Sequence, residues 1–367
     1  MKIGILTFHR SHNYGSMLQA YALQQILLRA GHECETIDFS SPRQKEMYAL
    51  PWNRGHWIKK ILKKVYYLST RKGLKTKFQL FEEFLYQYIK LSPQSYEYTS
   101  ELANLDYDVI ITGSDQIWNV SCYDFDWAYY IDFPFEGKRI SYAVSMGSGR
   151  CKQIMETQFK EKLSSLLDKY HSIIVRETGT KNIVKEISGL YSTVGLDPTL
   201  LLGSNEWEEL AGNKPLVEGD YIFYYTPQYR SDAISCVERI GIQTGMPIIE
   251  TLHIKNRHRQ NFRLNLNVGP KEFLNLIRYA KIIVGASFHV IVFSILFKKT
   301  FWAVDSLNDN RKSSLLRLLQ LEDRNIAAEF DLKQITNDKG INYKKTESLL
   351  SMQKEQSLKL LSEAISI

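Results

Sequence analysis

His289 stands in the stretch of this sequence where chemistry is most readily placed. Residues 282–284 are a β-branched run, as in a strand buried on both faces, and Ser287 is typical of the cap of a helix that starts near Phe288. His289 is therefore expected in the first turn of a helix at the carboxyl end of a parallel strand. The N–H groups and dipole of such a helix attract anions, and a histidine there can move a proton beside one. The alternative is a core histidine on an apolar helix.

Arg176 is the second residue whose type and place suggest chemistry. It directly follows the strand-like run 172–175. A guanidinium beside a buried strand is costly unless it is paired. Arg176 is therefore predicted either to bind an anion or to be tied to a carboxylate such as Glu177.

Two polar loops follow predicted strands, and the residues of the second could contact a sugar. One follows the strand predicted over 2–8, and the other follows the strand predicted over 107–112. Amide, carboxyl and aromatic groups can hydrogen-bond to a sugar and stack on it. The alternatives are a helix-capping turn for the first loop and a structural turn for the second. The residues concerned are Asn13, Tyr14 and Gly15 in the first loop, and Ser114, Asp115, Gln116 and Trp118 in the second.

The elements that must position these residues alternate between strands and helices. A strand over 2–8, a helix over 17–30 and a strand over 35–39 open the chain, which predicts a parallel sheet with right-handed crossovers. A link rich in glycine and asparagine near 203–215 precedes a second series of the same kind. The predicted division is an N-terminal domain of 1–205 with an insertion at about 42–100, a C-terminal domain of 215–335, and a helix at 345–367 that packs back on the body.

Composition sets the class of protein. The formal net charge of +7 over 367 residues is mild, and no nucleic-acid partner is expected. The four cysteines are scattered and no metal-ligand cluster is visible, so we expect neither a metal nor a cofactor. The sequence shows no signal peptide and no apolar run long enough to span a bilayer, which favours a cytoplasmic protein.

Much of the excess positive charge lies in one segment, residues 52–77. Aromatic and aliphatic residues line one face of a predicted helix over 57–66, and lysines flank it. A basic amphipathic helix suits an anionic membrane surface or a lipid pyrophosphate. The alternative is a helix packed on its own domain with a solvated basic face.

Taken in order, several short motifs resemble the polysaccharide pyruvyl transferase family. Each motif is weak alone, but the ordered set is specific and spans roughly residues 2–304. The motifs are Asn13-Tyr14-Gly15 with Leu18-Gln19-Ala20-Tyr21, Gly113-Ser114-Asp115-Gln116-Ile117-Trp118, Val175-Arg176-Glu177, Asp197-Pro198-Thr199-Leu200, and Ser287-Phe288-His289.

The resemblance implies two Rossmann-like domains that face each other across a cleft, as in GT-B glycosyltransferases, here with a helical basic insertion. It also implies transfer of pyruvate from phosphoenolpyruvate, the co-substrate, to a hexose of an exopolysaccharide, a capsule or a lipid-linked oligosaccharide such as one on undecaprenyl pyrophosphate. A pyruvate ketal forms and phosphate leaves. Arg176 and His289 would be the catalytic residues of the donor site, with Ser287 and Phe288 beside them. The domain of 1–205 would be the acceptor side, and the two polar loops described above would bind the acceptor.

The sequence departs from the family at the central motif. Gly285 and Ala286 replace the usual Thr-Asp before Ser287, and Val290 replaces a glycine. Other branches carry an arginine where Ser287 stands, so a second donor cation must come from elsewhere, and Arg257 and Arg259 are candidates. Two alternatives stay open: a sugar-nucleotide glycosyltransferase of the GT-B type, and a catalytically degenerate partner in glycan assembly.

Overall fold

The computed structural model describes residues 1–53, 68, 70–147, 157–251, 262–264, 268–304, 309–327 and 329–366. The chain divides into two compact units. The first comprises Met1–Leu68, Glu82–Leu202 and Ser351–Ile367, and the second comprises Ser69–Phe81 and Gly203–Leu350.

The first unit is built on a parallel sheet. Its strands are β1 (Lys2–Leu6), β2 (Glu33–Phe39), β3 (Leu91–Tyr96), β4 (Val109–Asp115), β5 (Lys138–Val144), β6 (Ser172–Val175) and β7 (Thr193–Val194). Within the described residues these seven strands lie in the order β3-β2-β1-β4-β5-β6-β7. Strand order therefore reverses between β1 and β4, as in a doubly wound nucleotide-binding sheet.

The second unit repeats this topology. Its strands are β8 (Ile222–Tyr225), β9 (Ile248–Glu250), β10 (Phe262–Leu264), β11 (Ile282–Gly285), β12 (Thr300–Val304) and β13 (Asn325–Ile326). The six strands found among the described residues are parallel and lie in the order β10-β9-β8-β11-β12-β13. The reversal here falls between β8 and β11.

Helices connect the strands. Those before Leu202 are α1 (Tyr14–Arg29), α2 (Pro42–Tyr48), α3 (Arg71–Tyr88), α4 (Thr157–Leu167) and α5 (Thr178–Ser188). Those after it are α6 (Ser204–Ala211), α7 (Ser231–Thr244), α8 (Pro270–Tyr279), α9 (Phe288–Leu296), α10 (Asn310–Leu318), α11 (Lys333–Thr336) and α12 (Tyr343–Ser366). Short 3₁₀ helices occur at Pro51–Asn53, Thr99–Leu102, Trp127–Tyr130, Pro198–Leu200 and Glu322–Arg324. No helix in the described part of the chain is both long and apolar enough to cross a bilayer.

Two boundaries between the units fall within helices, one in α3 and one in α12. Residues 69–81 cluster with the second unit, whereas the sequence analysis placed all of 42–100 in the first domain. Residues 351–367 cluster with the first unit. In that unit, Leu196 N–H donates to Ser357 Oγ at 3.0 Å, which fixes the C-terminal helix beside the end of β7.

Candidate functional site

The turn between β11 and α9 places His289 as the sequence predicts. Ser287 is the N-cap residue and His289 is the second residue of the helix, with a buried ring that packs edge-to-face on Phe288. Gly285 pairs with Tyr225 across the sheet, and a Cβ at Gly285 would lie 2.5 Å from the Tyr225 carbonyl oxygen. The turn therefore needs a residue without a side chain at position 285.

This turn lies at the reversal point of the second sheet. β11 is flanked by β8 on one side and β12 on the other, and connections leave β8 and β11 in opposite directions. Crevices outside the carboxyl ends of strands at such a point are where ligands bind in open α/β sheets. His289, at the N-terminus of α9, therefore stands at the ligand-binding edge of its own unit.

Arg176 lies in the first unit, at the carboxyl end of β6, among three carboxylates. Its Nη1 donates to Asp197 Oδ2 at 2.9 Å and its Nη2 to Asp115 Oδ1 at 3.4 Å, while its Nε lies 3.7 Å from Glu177 Oε2. The side chain is only 2% exposed. The structure thus shows the second of the two predicted situations, a guanidinium tied to carboxylates.

Electrostatics and hydroxyl donors hold this cluster together. Burial opposes the charged form of Arg176, but the charges of Asp115, Asp197 and Glu177 outweigh it and raise the pKa of the guanidinium above its ordinary value. Hydroxyl groups supply further hydrogen bonds to the carboxylates, from Ser16 to Asp115 at 2.5 Å and from Ser145 to Glu177 at 2.8 Å. Arg176 is therefore placed to orient Asp115, the carboxylate at the end of β4.

The residues from 13 to 16 form the start of α1, and Ser16 donates a hydrogen bond to Asp115. Asn13 caps α1 by accepting from the N–H of Gly15 at 3.0 Å, which is the helix-capping alternative considered for this loop. Tyr14 is buried in the core. Asp115 has φ 78, an uncommon left-handed backbone conformation, and its side chain is 11% exposed. In the two predicted acceptor loops, Asn13 and Gln116 are half-buried, and Asp115 is less exposed than either.

The prediction that Trp118 stacks on a sugar is wrong for this structure. Trp118 is fully buried, its indole stacks on Tyr130 with ring centroids 4.7 Å apart, and its Nε1 donates to the Tyr129 carbonyl oxygen at 3.0 Å. The tryptophan is a core residue under the loop. Gln116 is half-buried and accepts from the side chain of Asn119 at 3.1 Å, and Ser114 is fully buried.

Polar residues missed by the sequence analysis gather near Asp115. His12 Nε2 lies 2.9 Å from Glu82 Oε1, and its ring centroid lies 6.3 Å from that of Tyr48. Tyr48 donates to Asp124 at 3.0 Å. Burial raises the pKa of Asp124, and the charge of Asp115 raises it further, so these carboxylates are close enough to interact. His12, Tyr48, Glu82 and Asp124 thus form a polar group near Asp115, the carboxylate at the end of β4.

A second histidine, His9, is buried against Asp38 at the same edge. Its Nδ1 lies 3.1 Å from the Thr7 carbonyl oxygen and its Nε2 lies 3.0 Å from Asp38 Oδ1. Arg10 also donates to Asp38, at 2.7 Å from Nη2 to Oδ2. Burial opposes the charged form of Asp38, but the bonds from Arg10, His9 and Ser95 lower the pKa of the carboxyl well below its usual range. This cluster fastens β2 to the loop after β1.

Several predicted residues lie outside the described part of the chain. Arg257 and Arg259, the proposed source of a second donor cation, are among them, as is the predicted basic helix over 57–66. Trp52, which precedes that helix, is described and is buried.

The fold is shared with enzymes that act on sugars. A glycosyltransferase from Rickettsia africae superposes with a TM-score of 0.56 and 12% identity over 99% of this chain and 98% of that chain. The UDP-GlcNAc 2-epimerase of Methanocaldococcus jannaschii superposes with a TM-score of 0.52 and 12% identity over 96% of this chain and 99% of that chain. At this identity the likeness shows the fold, which is the predicted α/β class of GT-B glycosyltransferases and related epimerases.

The family follows from the sequence itself. No curated protein matches the chain. A family model described as polysaccharide pyruvyl transferase matches residues 13–308, which is most of the chain. The protein belongs to the polysaccharide pyruvyl transferase family, as its ordered motifs predicted.

Proposed function

We propose that this protein transfers pyruvate from phosphoenolpyruvate to a hexose of a polysaccharide or lipid-linked oligosaccharide. Two sugar hydroxyls add to C2 of the donor, the C2–O bond to phosphate breaks, and the methylene carbon gains a proton to become a methyl group. Of the two hydroxyl protons, one ends on that methyl group and the other leaves with phosphate. The product is a pyruvate ketal, and the balance needs no oxidant or reductant.

The observation that carries the proposal is the position of His289. The reaction needs an acid at the methylene carbon, since protonation there creates the electron-poor centre that a hydroxyl attacks. It also needs fixed positive charge, because the donor is a small trianion. His289, in the first turn of α9 at the reversal point of the second sheet, offers a proton beside an anion-attracting helix end.

The acceptor side is assigned to the carboxyl edge of the first sheet. Asp115 is oriented by Arg176 and Ser16, and the His12–Glu82 pair lies beside Tyr48 in the same unit. A carboxylate that holds an imidazole is the arrangement by which a histidine accepts a proton from a hydroxyl. We assign His12 as the base for an acceptor hydroxyl and Asp115 as a ligand of the sugar.

Calorimetry with two ligands tests the donor before any acceptor is known. Phosphoenolpyruvate should bind the wild-type protein, and UDP, the expected product of a sugar-nucleotide glycosyltransferase, should not. UDP binding in the absence of phosphoenolpyruvate binding would instead favour that alternative. A protein that binds neither ligand would favour the degenerate partner in glycan assembly.

A lipid-linked acceptor at the inner membrane face is the more specific form of the proposal. The basic character of residues 52–77 supports it, and in the described part Lys72 and Lys75 of α3 are exposed. Sedimentation with anionic liposomes at low salt should retain the protein, because polybasic segments bind anionic lipid electrostatically. If the protein does not sediment with anionic liposomes at low salt, the membrane part of the proposal is refuted.

A further inference from the structure

Lys312 lies directly behind the turn that carries His289. It belongs to α10, yet its Nζ donates to the Ala286 carbonyl oxygen at 2.8 Å. Ala286 is the residue between β11 and the helix cap Ser287. The Lys312 side chain is buried, so its amino group is held inside the second unit next to the start of α9.

Within the described residues, the one carboxylate next to Lys312 is shared with a second cation. Its carboxylate neighbour is Asp309, whose Oδ2 lies 3.6 Å from Nζ, but the same carboxylate also pairs with Arg311 at 2.7 Å. One carboxylate therefore serves two cations. Burial lowers the pKa of Lys312, the charge of Asp309 raises it, and the charges of Arg311 and Arg230 lower it again.

A buried lysine in such surroundings needs a reason. Replacing it with an apolar residue would remove the cost of keeping an ammonium out of water. Ammonium has three N–H groups, and among the described residues the Ala286 carbonyl accepts one of them. Because Asp309 is the one carboxylate in the described part of the chain that Arg311 and Lys312 share, the positive charge left over suits an anion at the turn.

We propose that Lys312 supplies the second cation of the donor site, beside His289 and the N-terminus of α9. The inference rests on the proposed function, since it assigns Lys312 to the phosphate or carboxylate of phosphoenolpyruvate.

Three substitutions separate the charge of Lys312 from its hydrogen bond. Lys312→Met removes both, Lys312→Gln keeps an N–H donor for Ala286 without the charge, and Lys312→Arg keeps both. Lys281→Met is the matched control, because Lys281 is exposed, comes just before the opposite end of β11 and pairs with Asp220 at 3.6 Å. Affinity for phosphoenolpyruvate is measured by calorimetry, and folding of each variant by thermal unfolding.

We expect Lys312→Met and Lys312→Gln to weaken phosphoenolpyruvate binding by roughly 10- to 100-fold, the usual effect of losing one charge-assisted contact. Lys312→Arg and Lys281→Met should stay within about threefold of the wild type, since both leave the site's charge unchanged. Should Lys312→Met fail to fold, the glutamine and arginine variants still decide the question.

Two outcomes overturn the inference in distinguishable ways. Wild-type affinity in Lys312→Gln would show that the lysine only supports the Ala286 carbonyl, while the proposed function would stand. No binding of phosphoenolpyruvate to the wild-type protein would refute the proposed function and the role of Lys312 with it.

Discussion

The carboxylates around Arg176 lead us to expect a large loss of unfolding free energy when Arg176 is replaced. Replacing Arg176 with methionine keeps the length of the side chain but leaves Asp115, Asp197 and Glu177 without their shared cation in a place where the arginine is 2% exposed. Removing one partner of a buried ion pair typically costs about 3–5 kcal/mol of unfolding free energy. We expect Arg176→Met to fall in this range.

Thermal unfolding measures the effect. With a shift of roughly 2–4 °C per kcal/mol for a domain of this size, the midpoint should drop by about 6–20 °C. The double variant Arg176→Met with Asp197→Asn should recover part of the loss, because one of the uncompensated carboxylates is then neutral. Arg29→Met, on the exposed end of α1, is the control and should change stability by less than about 0.5 kcal/mol.

A direct contact between Arg176 and the donor, as the family resemblance implies, predicts a different result. In that case Arg176→Met would unfold near the wild-type temperature while its affinity for phosphoenolpyruvate collapsed. That pair of results would refute the argument that Arg176 is a positioning residue for Asp115.

Three further variants test other parts of the account. The pKa of Asp38 is lowered in the folded state, so the Asp38 carboxylate stabilises the fold above the pKa of an unfolded aspartate, and this stabilisation is lost as the pH falls below that value. Urea unfolding of Asp38→Asn should therefore show a weaker loss of stability below about pH 4 than the wild type. Trp118→Phe should cost about 1–3 kcal/mol through lost packing and the lost bond to Tyr129, with an unchanged KM for the acceptor; a raised KM would restore the sugar-stacking role. His12→Asn should lower kcat by about 100-fold or more without changing phosphoenolpyruvate affinity, and an unaltered kcat would exclude it as the base.

The architecture was predictable where local signals agreed with the final contacts. The β-branched run before Gly285 and the cap at Ser287 placed His289 correctly, because strand and helix ends are set by nearby residues. β3 was missed, since Leu91–Tyr96 is a polar edge strand that contains Pro93 and lacks the alternation of a half-buried strand. Helix α5 was missed as well, although Gly189 ends it in the left-handed conformation typical of a helix C-terminus.

The site was only partly predictable, because its key pairings join distant parts of the chain. His12 and Glu82 are 70 residues apart, and Lys312 and Ala286 are 26 apart. The local sequence does not distinguish Glu82 or Lys312 from an ordinary surface residue of a helix. The prediction for Trp118 was wrong because its position in a loop suggested an exposed side chain. In the structure the indole is buried against Tyr129 and Tyr130.

Transfer carried out in D₂O tests the central claim most directly. Wild-type protein, phosphoenolpyruvate and a panel of hexose-terminated glycans, free and lipid-linked, are incubated together, and the products are analysed by mass spectrometry alongside His289→Gln and the control His32→Gln. The account predicts a pyruvate ketal that carries deuterium in its methyl group, formed by the wild type and the control but slowed about 100- to 10,000-fold in His289→Gln. A ketal formed at the wild-type rate by His289→Gln, or phosphoenolpyruvate bound but transferred to no glycan of the panel, would contradict it.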